Sequence, residues 1–432
     1  MFRLLLSNAL ILKGETFTPV RGFLAVEDDT ISYIGPDRPE GEPAREIDLH
    51  GAIVLPGLVN AHGHAAMVLL RGLGSGLPLD RWLNEAIFPA EARLTLPMEM
   101  AAVRLAQMEM LACGTTSYTD MYDFAFEEAA LTAETGMKVN LGRPVLSFDA
   151  RELPAESTRF REAAAFQKEW DNAANGRIRA EFCVHAEYTN RSLSILEAVG
   201  DLAALRHSRI HIHLSETARE HAACVRRYGM TPAALLEHLG LLRSPLVAAH
   251  CVHLSREDRG MLRQYDFTPV HCPASNMKLG SGFAPVPDFL SDGFTVALGT
   301  DGASSNNCLN MFREMYLAAL LHKGVRGDAS VLTARDVLHM ATRAGALAQG
   351  RPETGLLETG MKADLCAVDA GRIHLFPLLD PVDTLVYSAQ GSDVILTAVD
   401  GRILYENGVW TAFDAEEVRA RVKEAARALY GA

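Results

Sequence analysis

The chain lacks several features that mark common classes of protein. Its seven cysteines are odd in number, dispersed, and free of any CxxC pair, which indicates reduced thiols rather than a disulfide framework. No run of about 18 apolar residues occurs, so we expect no membrane span. The first residues lack the charged and small-residue segments of a signal peptide. Together these absences predict a cytoplasmic protein.

Positive charge is also scarce. The sequence has 41 Lys and Arg against 54 Asp and Glu, a formal net charge of −13, and no Lys/Arg-rich run. Because this sign repels polyphosphate backbones, we expect no nucleic-acid partner.

The pattern of hydrophobic residues divides the chain into four segments. Residues 1–55 and 361–412 contain short strand-like runs separated by turn residues, which predicts that the two ends meet in one small composite β-sandwich. Residues 56–360 alternate apolar runs with amphipathic stretches, as expected for a (β/α)8 TIM-type barrel of about eight βα units. Residues 413–432 favour a charged C-terminal helix. The predicted fold class is α/β.

A histidine pair follows the first apolar run of the predicted barrel. Residues Ile53 to Val59 predict a buried strand, and His62 and His64 come just beyond its end. Side chains two apart in extended backbone point to the same side, and two neutral imidazoles suit a zinc-like ion. An isolated HxH pattern is weak evidence, because such pairs also occur in packing and on surfaces.

Three later predicted strands also end in residues that bind metals or transfer protons. These residues are His211, His213 and Glu216 after the first, His250 and His253 after the second, and Asp301 after the third. We expect Gly299 to let the backbone turn before Asp301. Because functional groups of a barrel cluster at the carboxyl ends of its strands, these separated residues are predicted to converge on one point.

Five motifs resemble those of the amidohydrolase superfamily. They are PGLVNAHGH, HIHLSET, AAHCVHLS, HCPASNMKLGSG and GTDGASSNN, in family order between Pro56 and about Asn307. The segment GLGSGLPLDRWLNEAIFPAEARLT further resembles the 5-methylthioadenosine/S-adenosylhomocysteine deaminase family. The resemblance implies the barrel with its flanking composite sandwich.

The resemblance also implies roles for six residues. His62, His64, His213 and Asp301 match metal ligands, Asp301 also shuttles protons, Glu216 matches the general acid for a ring nitrogen, and His250 matches the histidine that orients water and the departing amine. His211 and His253 are interpreted as strand-face residues or as supports behind the ligands.

One absence bears on the number of metal ions. No lysine occurs between Lys168 and Lys278, whereas two-metal members such as hydantoinases and dihydroorotases typically need a carbamylated lysine near the fourth strand. At that strand the sequence reads EFCVHAEYT. We therefore expect one divalent metal ion, Zn²⁺, with Fe²⁺ as an alternative for the same ligand set.

Further residues match the family's substrate contacts. Trp82 matches an aromatic wall and Glu91 a carboxylate for the ribose hydroxyls, since a diol donates two hydrogen bonds that a carboxylate accepts. A charge on a helix surface is the alternative for Glu91. His185 matches a purine contact, with a buried structural histidine as its alternative.

The carboxylate of a homocysteine moiety requires a cation. Arg143, before Pro144 and hence in extended backbone, matches this role by resemblance, and a guanidinium suits it because it pairs with carboxylates through two hydrogen bonds. Arg159, with Arg161 as its alternative, or a neighbouring subunit is expected to assist.

The function implied is hydrolytic deamination of the adenine ring of 5'-methylthioadenosine, S-adenosylhomocysteine or both, with water activated by the metal ion and ammonia released. The same machinery on adenosine, guanine, cytosine or a triazine is the alternative, and a non-catalytic metal-binding scaffold is a further one. The expected partners are a small-molecule nucleoside and further copies of the chain in a dimer or tetramer.

Overall fold

The computed structural model describes residues 2–431, and its strands fall into an N-terminal, a middle and a C-terminal group. The N-terminal strands are β1 (Leu4–Lys13), β2 (Thr18–Glu27), β3 (Thr30–Gly35), β4 (Glu46–Asp48) and β5 (Ile53–Pro56). The middle strands are β6 (Leu58–His64), β7 (Thr115–Met121), β8 (Lys138–Gly142), β9 (Pro144–Val145), β10 (Ile178–Ala180), β11 (Phe182–Val184), β12 (Ile210–Leu214), β13 (Leu246–His250), β14 (Phe267–His271), β15 (Ala297–Leu298) and β16 (Asp301–Gly302). The C-terminal strands are β17 (Leu365–Val368), β18 (Val394–Val399), β19 (Arg402–Glu406) and β20 (Val409–Trp410).

Helices connect the middle strands and close the chain. The α-helices are α1 (Leu79–Arg81), α2 (Phe88–Glu91), α3 (Leu96–Ala112), α4 (Ala125–Thr135), α5 (Thr158–Trp170), α6 (Leu193–Arg206), α7 (Ala218–Tyr228), α8 (Pro232–His238), α9 (Arg256–Leu262), α10 (Pro273–Lys278), α11 (Val286–Ser291), α12 (Ala303–Asn306), α13 (Met311–Arg326), α14 (Ala334–His339), α15 (Gly345–Ala348), α16 (Pro381–Tyr387) and α17 (Ala415–Tyr430). Short 3₁₀ segments cover Ala65–Leu70, Leu241–Arg243, Ile373–Leu375 and Gly391–Asp393, and π-helical turns cover Trp82–Ile87 and Met340–Ala344. Within residues 2–431, none of these helices is both long enough and apolar enough to cross a bilayer.

Strands from both ends of the chain form one sandwich-like sheet of nine strands. Its order is β20-β19-β18-β17-β5-β1-β2-β3, with β4 beside β1. Alternation along β1 gives the sheet two buried faces: Leu4, Leu6 and Ile11 join a cluster within this unit, whereas Leu10 and Leu12 join the large core shared with the middle segment. The prediction that the two ends of the chain meet in one β unit is confirmed.

The middle segment contains parallel sheets whose strands alternate with helices. One sheet has the order β10-β8-β7-β6-β16 and the other β15-β14-β13-β12-β11-β9. Every residue of β12 and of β13 is buried, as expected for parallel strands covered on both faces. The α/β class is confirmed, but among the described residues the middle strands pair as two sheets rather than as one continuous hydrogen-bonded ring.

Interruptions within three strands explain this division. Arg143 separates β8 from β9, Glu181 separates β10 from β11, and residues 299–300 separate β15 from β16. In each case the two pieces pair with different sheets. The chain itself therefore continues from one sheet to the other where the ladder of hydrogen bonds stops.

The apolar run from Ile53 to Val59 forms two strands instead of the predicted single one. It divides at Gly57, so that β5 belongs to the sandwich-like sheet and β6 to a parallel sheet. A Cβ atom on Gly57 would lie 2.2 Å from Thr116 Oγ1, so the crossing point has no room for a side chain. Because both strands are buried, no polar residue in the run marks the break. The second strand, β6, extends far enough to include His62 and His64.

A buried ion-pair cluster joins the middle segment to the C-terminal strands. Lys138 Nζ on β8 lies 2.8 and 2.6 Å from the two carboxylate oxygens of Asp364 and 2.7 Å from Asp400 Oδ1. The side chains of Lys138 and Asp364 are almost completely buried. Since an unpaired charge is costly in such surroundings, the cluster constrains how the two units pack.

We expect Lys138→Met to lower the free energy of unfolding by about 3–5 kcal/mol, because it leaves buried carboxylates without their cation. Urea unfolding followed by circular dichroism measures this change. Arg421→Met is the matched control, since Arg421 forms an exposed pair with Glu417 and such pairs contribute about 0–1 kcal/mol. Equal losses in the two variants would contradict a special role for the buried cluster.

Candidate active site

A cavity of about 600 Å³ lies where the middle strands end. It collects most of the site residues predicted from the sequence: His64, Trp82, Glu91, Arg159, His185, His213, Glu216, His250 and Asp301 line it. His62 is fully buried immediately behind this wall, with its Nε2 atom 3.4 Å from Asp301 Oδ1. Residues separated by more than 200 positions in the sequence thus share one space.

Strand pairing brings the carboxylate to the histidine pair. In β16, Asp301 is paired in register with Gly63, which lies between His62 and His64 on β6. A Cβ atom on Gly299 would lie 2.9 Å from the backbone nitrogen of His62. Gly299 does not have the left-handed backbone expected of a turn. Its role is to leave room for the close approach of the two strands, which corrects the sequence prediction.

The Nε2 atoms of His62, His64 and His213 lie close together. His64 Nδ1 lies 3.0 Å from the carbonyl oxygen of Met121, and His213 Nδ1 lies 2.5 Å from that of His185. A carbonyl oxygen only accepts, so both Nδ1 atoms carry a proton, and in the neutral imidazoles both Nε2 atoms are lone pairs. These Nε2 atoms are only 3.2 Å apart. His62 Nε2 is buried nearby without a hydrogen-bond partner.

Asp301 adds a negative charge to this point. Its Oδ1 lies 3.4 Å from the Nε2 atoms of both His62 and His64, while Oδ2 accepts from Ser275 Oγ at 2.5 Å and from Ser305 Oγ at 2.8 Å. Burial raises the pKa of Asp301, but the close approach of His62, and then of His250 and His64, lowers it more. The net result is a pKa well below its ordinary value.

This arrangement fits a divalent cation of the zinc class. One donor group is formed by His62, His64 and Asp301 and another by His62, His213 and His250, each with ligand atoms within 4.8 Å of one another. Burial lowers the pKa of His62 to about 4 and that of His213 well below its ordinary value. Neutral imidazoles and an ionised carboxylate are the forms that such metals bind.

Glu216 and His250 lie next to each other beside these donors. Glu216 Oε2 lies 3.8 Å from His250 Nε2, and its Oε1 accepts from Ser281 Oγ at 3.0 Å. His250 Nδ1 lies 2.8 Å from Asn276 Oδ1. Burial raises the pKa of Glu216, which favours the protonated carboxyl group that a general acid requires.

Two of these residues have strained backbones. His250 has φ +72° and Asp301 has φ +59°, a left-handed conformation that is uncommon for residues other than glycine. Such conformations cost on the order of 1–3 kcal/mol each and persist only where the surrounding structure fixes them. The side-chain hydrogen bonds of both residues supply that constraint.

The glycine-rich segment GLGSG supports the aromatic wall. Gly72, Gly74 and Gly76 all have positive φ, so the segment is a series of turns. A Cβ atom on Gly74 would lie 2.7 Å from Trp82 Cδ1, and Trp82 Nε1 donates to the carbonyl oxygen of Leu73 at 3.3 Å. The turn therefore holds the indole of Trp82 in the cavity wall.

Glu91 and His185 line the same cavity. Tyr122 donates its hydroxyl hydrogen to Glu91 Oε1 at 2.7 Å, and burial raises the pKa of Glu91, so this residue is not a charge on a helix surface. His185 Nδ1 lies 3.1 Å from Thr189 Oγ1, and burial lowers its pKa to about 3. Both side chains contact the space in which a substrate would bind.

The arginines differ from the sequence prediction. Arg159 lines the cavity and forms an ion pair with Asp123. Arg143 does not line it: its Nε lies 2.6 Å from Glu162 Oε2 and its Nη1 donates to the carbonyl oxygen of Asp123. Arg161 does not line it either. Glu162 and the Asp123 carbonyl thus hold Arg143 outside the cavity, whereas Arg159, the predicted assistant, lines it.

Two other predicted histidines lie outside the cavity. His211 is fully buried behind His62, with its Nε2 atom 2.8 Å from His62 Nδ1. His253 Nε2 lies 2.9 Å from the carbonyl oxygen of Ser281. Both positions agree with their interpretation as supporting residues.

Sequence reasoning missed the residues that hold the site together. These are Tyr122, Ser275, Asn276, Ser281 and Ser305, which contact Glu91, Asp301, His250, Glu216 and Asp301 respectively. Four of them lie within the motifs HCPASNMKLGSG and GTDGASSNN. The motifs located them, but only the structure relates each hydroxyl or amide to its partner.

Comparisons with known proteins agree with this geometry. A sequence profile of the Amidohydrolase family matches residues 53–404. A 5-methylthioadenosine/S-adenosylhomocysteine deaminase of Acetivibrio thermocellus is 41% identical over 98% of this chain and 99% of its own. A 5'-deoxyadenosine deaminase of Methanosarcina mazei is 42% identical over 95% of this chain and 94% of its own.

A solved structure gives the same result for the fold. An adenosine deaminase from Xanthomonas campestris with bound zinc superposes with a TM-score of 0.93 at 32% identity, covering 99% of each chain. The profile spans most of the sequence, and the similarity to the relatives extends over nearly all of it. The chain belongs to the amidohydrolase family.

Proposed function

We propose that the chain is a metal-dependent hydrolase that removes the amino group from the adenine ring of 5'-methylthioadenosine, S-adenosylhomocysteine or both. The observation that carries this proposal is the convergence of three imidazole lone pairs and Asp301 beside the Glu216–His250 pair. The names of the two curated relatives, both adenosine-type deaminases at about 40% identity, support the same reaction.

The proposed ligands of one divalent ion are His62, His64, His213 and Asp301. Zinc is favoured by the three nitrogen donors and one carboxylate. A cation bound there would lower the pKa of water from 15.7 towards about 7, so that a nucleophile is available at neutral pH.

The protein's own side chains then move the protons. Asp301, which is ionised before the reaction, accepts a proton from the water as the water oxygen bonds to the amino-bearing ring carbon. Glu216 gives its proton to the adjacent ring nitrogen, so that negative charge does not accumulate there. His250 orients the water and the departing amine. Asp301 passes its proton to the amine, the carbon–nitrogen bond breaks and ammonia leaves. The remaining hydroxyl proton returns to Glu216 as the ring carbonyl forms.

The residues of the cavity wall favour a nucleoside substrate over a free base. Glu91, oriented by Tyr122, offers carboxylate oxygens for a ribose diol, and Trp82 supplies an apolar face. His185 is the proposed contact of the purine ring. Guanine and cytosine lack the ribose that Glu91 would bind, and triazines lack it too, which ranks these alternatives below adenosine-type substrates.

Arg159 is the proposed partner of a substrate carboxylate, in place of Arg143. It lines the cavity, and it is partly neutralised by Asp123. A carboxylate-bearing substrate must therefore compete with Asp123 for the guanidinium, whereas methylthioadenosine makes no such demand.

We also propose that the two parallel sheets complete an eight-stranded (β/α)8 barrel. The support is the continuity of the chain across the three interrupted strands. The corresponding division is a first sandwich segment at 1–55, a barrel at 56–360, a second sandwich segment at 361–412 and a C-terminal helix at 413–432. Cytoplasmic location and assembly into a dimer or tetramer stay predictions, and light scattering of the purified protein tests the assembly.

The proposed substrate class predicts the result of a substrate panel. Ammonia release should be fastest with methylthioadenosine or S-adenosylhomocysteine, slower with adenosine, and slowest with guanine and cytosine, because the free bases lack the ribose. A coupled assay for ammonia measures these rates at equal substrate concentration. Faster release from a free base would overturn the substrate class, and metal binding without any ammonia release would favour the scaffold alternative.

Glu216→Gln should reduce kcat by about 10²–10⁴-fold, the usual contribution of a general acid, while zinc content stays equal to that of the wild type. Because burial raises the pKa of Glu216, its proton is lost at a higher pH than for an ordinary carboxyl group. The wild-type rate should fall as pH rises through that pKa. The residual activity of Glu216→Gln should lack this decline, and an unchanged profile would remove Glu216 from the mechanism.

Arg159→Met should lower kcat/KM for S-adenosylhomocysteine by about 10- to 100-fold, since a hydrogen bond between charged groups contributes about 1.5–3 kcal/mol. The value for methylthioadenosine should change little, because it has no carboxylate. Arg161→Met, at a neighbouring arginine outside the cavity, is the matched control. Equal losses on both nucleosides would contradict the assignment, and a larger effect of Arg143→Met on S-adenosylhomocysteine would return the role to Arg143.

A further inference from the structure

A second histidine lies directly behind the proposed ligand His62. His211 is fully buried on β12, and its Nε2 atom is 2.8 Å from His62 Nδ1. It does not line the cavity, so it contacts neither a substrate nor the point where the lone pairs converge. Its neighbour in the HxH pattern of β12, His213, does line the cavity.

The contact between the two rings determines where their protons lie. A hydrogen bond between two imidazole nitrogens contains one proton, which belongs to one ring or the other. His62 can bind a cation through Nε2 only if that atom is a lone pair, so Nδ1 carries the proton and donates to His211 Nε2. The proton of His211 then lies on its Nδ1 atom.

The far side of His211 faces a buried carboxyl group beyond direct hydrogen-bond distance, and Nδ1 has no hydrogen-bond partner. His211 Nδ1 lies 3.9 Å from Glu181 Oε1, and Asn140 Nδ2 donates to Glu181 Oε2 at 3.2 Å. Arg351 Nε donates to Asn140 Oδ1 at 3.3 Å. The guanidinium of Arg351 is itself buried, and Nη2 donates to the carbonyl oxygen of Val139 at 3.0 Å. A carboxyl group at the end of this chain of contacts therefore faces the Nδ1 atom of His211.

We infer that His211 is a positioning residue that fixes the tautomer and orientation of His62, with Glu181 favouring the required proton position on His211. The inference rests on His62 being a metal ligand, and it assigns different tasks to the two histidines of β12. His213 presents a lone pair to the cation, and His211 keeps the Nε2 lone pair of His62 available to it. Partners of this kind behind metal-bound histidines contribute about 10- to 100-fold in metal affinity.

Zinc affinity of the metal-free full-length protein tests the inference, measured by competition with a chromophoric chelator. His211→Asn should bind zinc about 10- to 100-fold more weakly than the wild type, because its shorter side chain does not reach His62 Nδ1. His211→Gln should retain most of the affinity, since its amide oxygen can occupy the position of the Nε2 acceptor. The two amide variants thus differ in reach and share their polarity.

His322→Phe provides the matched control for loss of a buried histidine. His322 is also buried and lies 3.3 Å from the ring nitrogen of His271, outside the donor groups. The zinc affinity of His322→Phe should equal that of the wild type. The thermal unfolding midpoint of each metal-free variant shows whether a loss of affinity comes from a loss of folding. Wild-type affinity in His211→Asn, or equal losses in the Asn and Gln variants, would overturn the inference. No nucleoside enters this assay, so its result is independent of the proposed substrate.

Discussion

The molecule depends on three imidazole lone pairs that face one point without a proton between them. The Nε2 atoms of His64 and His213 are 3.2 Å apart, and their opposite nitrogens face backbone carbonyl oxygens. Neither ring can change its tautomer without placing a lone pair against a carbonyl oxygen, so the repulsion is not relieved locally. A rigid interior holds these atoms together, and a cation turns the repulsion into attraction.

This point also lies between the two parallel sheets. His64 and Asp301 belong to the sheet containing β6 and β16, whereas His213 belongs to the sheet containing β12. A cation bound by all three would therefore link sheets that share no ladder of hydrogen bonds at this position. Ligands that bind only the folded state stabilise it, so the same contacts that prepare the chemistry also hold the strand ends together.

Much of this site could be predicted from the sequence, because the relevant residues follow predicted strands and lie in motifs that resemble those of the amidohydrolase superfamily. The HxH pattern of His62 and His64 and the carboxylate of Asp301 were identified as converging groups. The break at Gly57 could not be predicted, because both strands it separates are buried and apolar. The direction of Arg143 could not be predicted either, since it depends on Glu162, which local sequence does not relate to it.

The two carboxyl groups proposed to transfer protons show how surroundings give similar side chains different pKa values. Asp301 accepts hydrogen bonds from two serine hydroxyls and lies beside the histidine nitrogens. Although burial alone would raise its pKa, the neighbouring histidines keep it ionised. Glu216 has one hydroxyl partner, Ser281, and burial raises its pKa. One group is thereby prepared to take a proton and the other to give one at the same pH. The acid and the base therefore differ through the residues around them, which separate parts of the chain contribute.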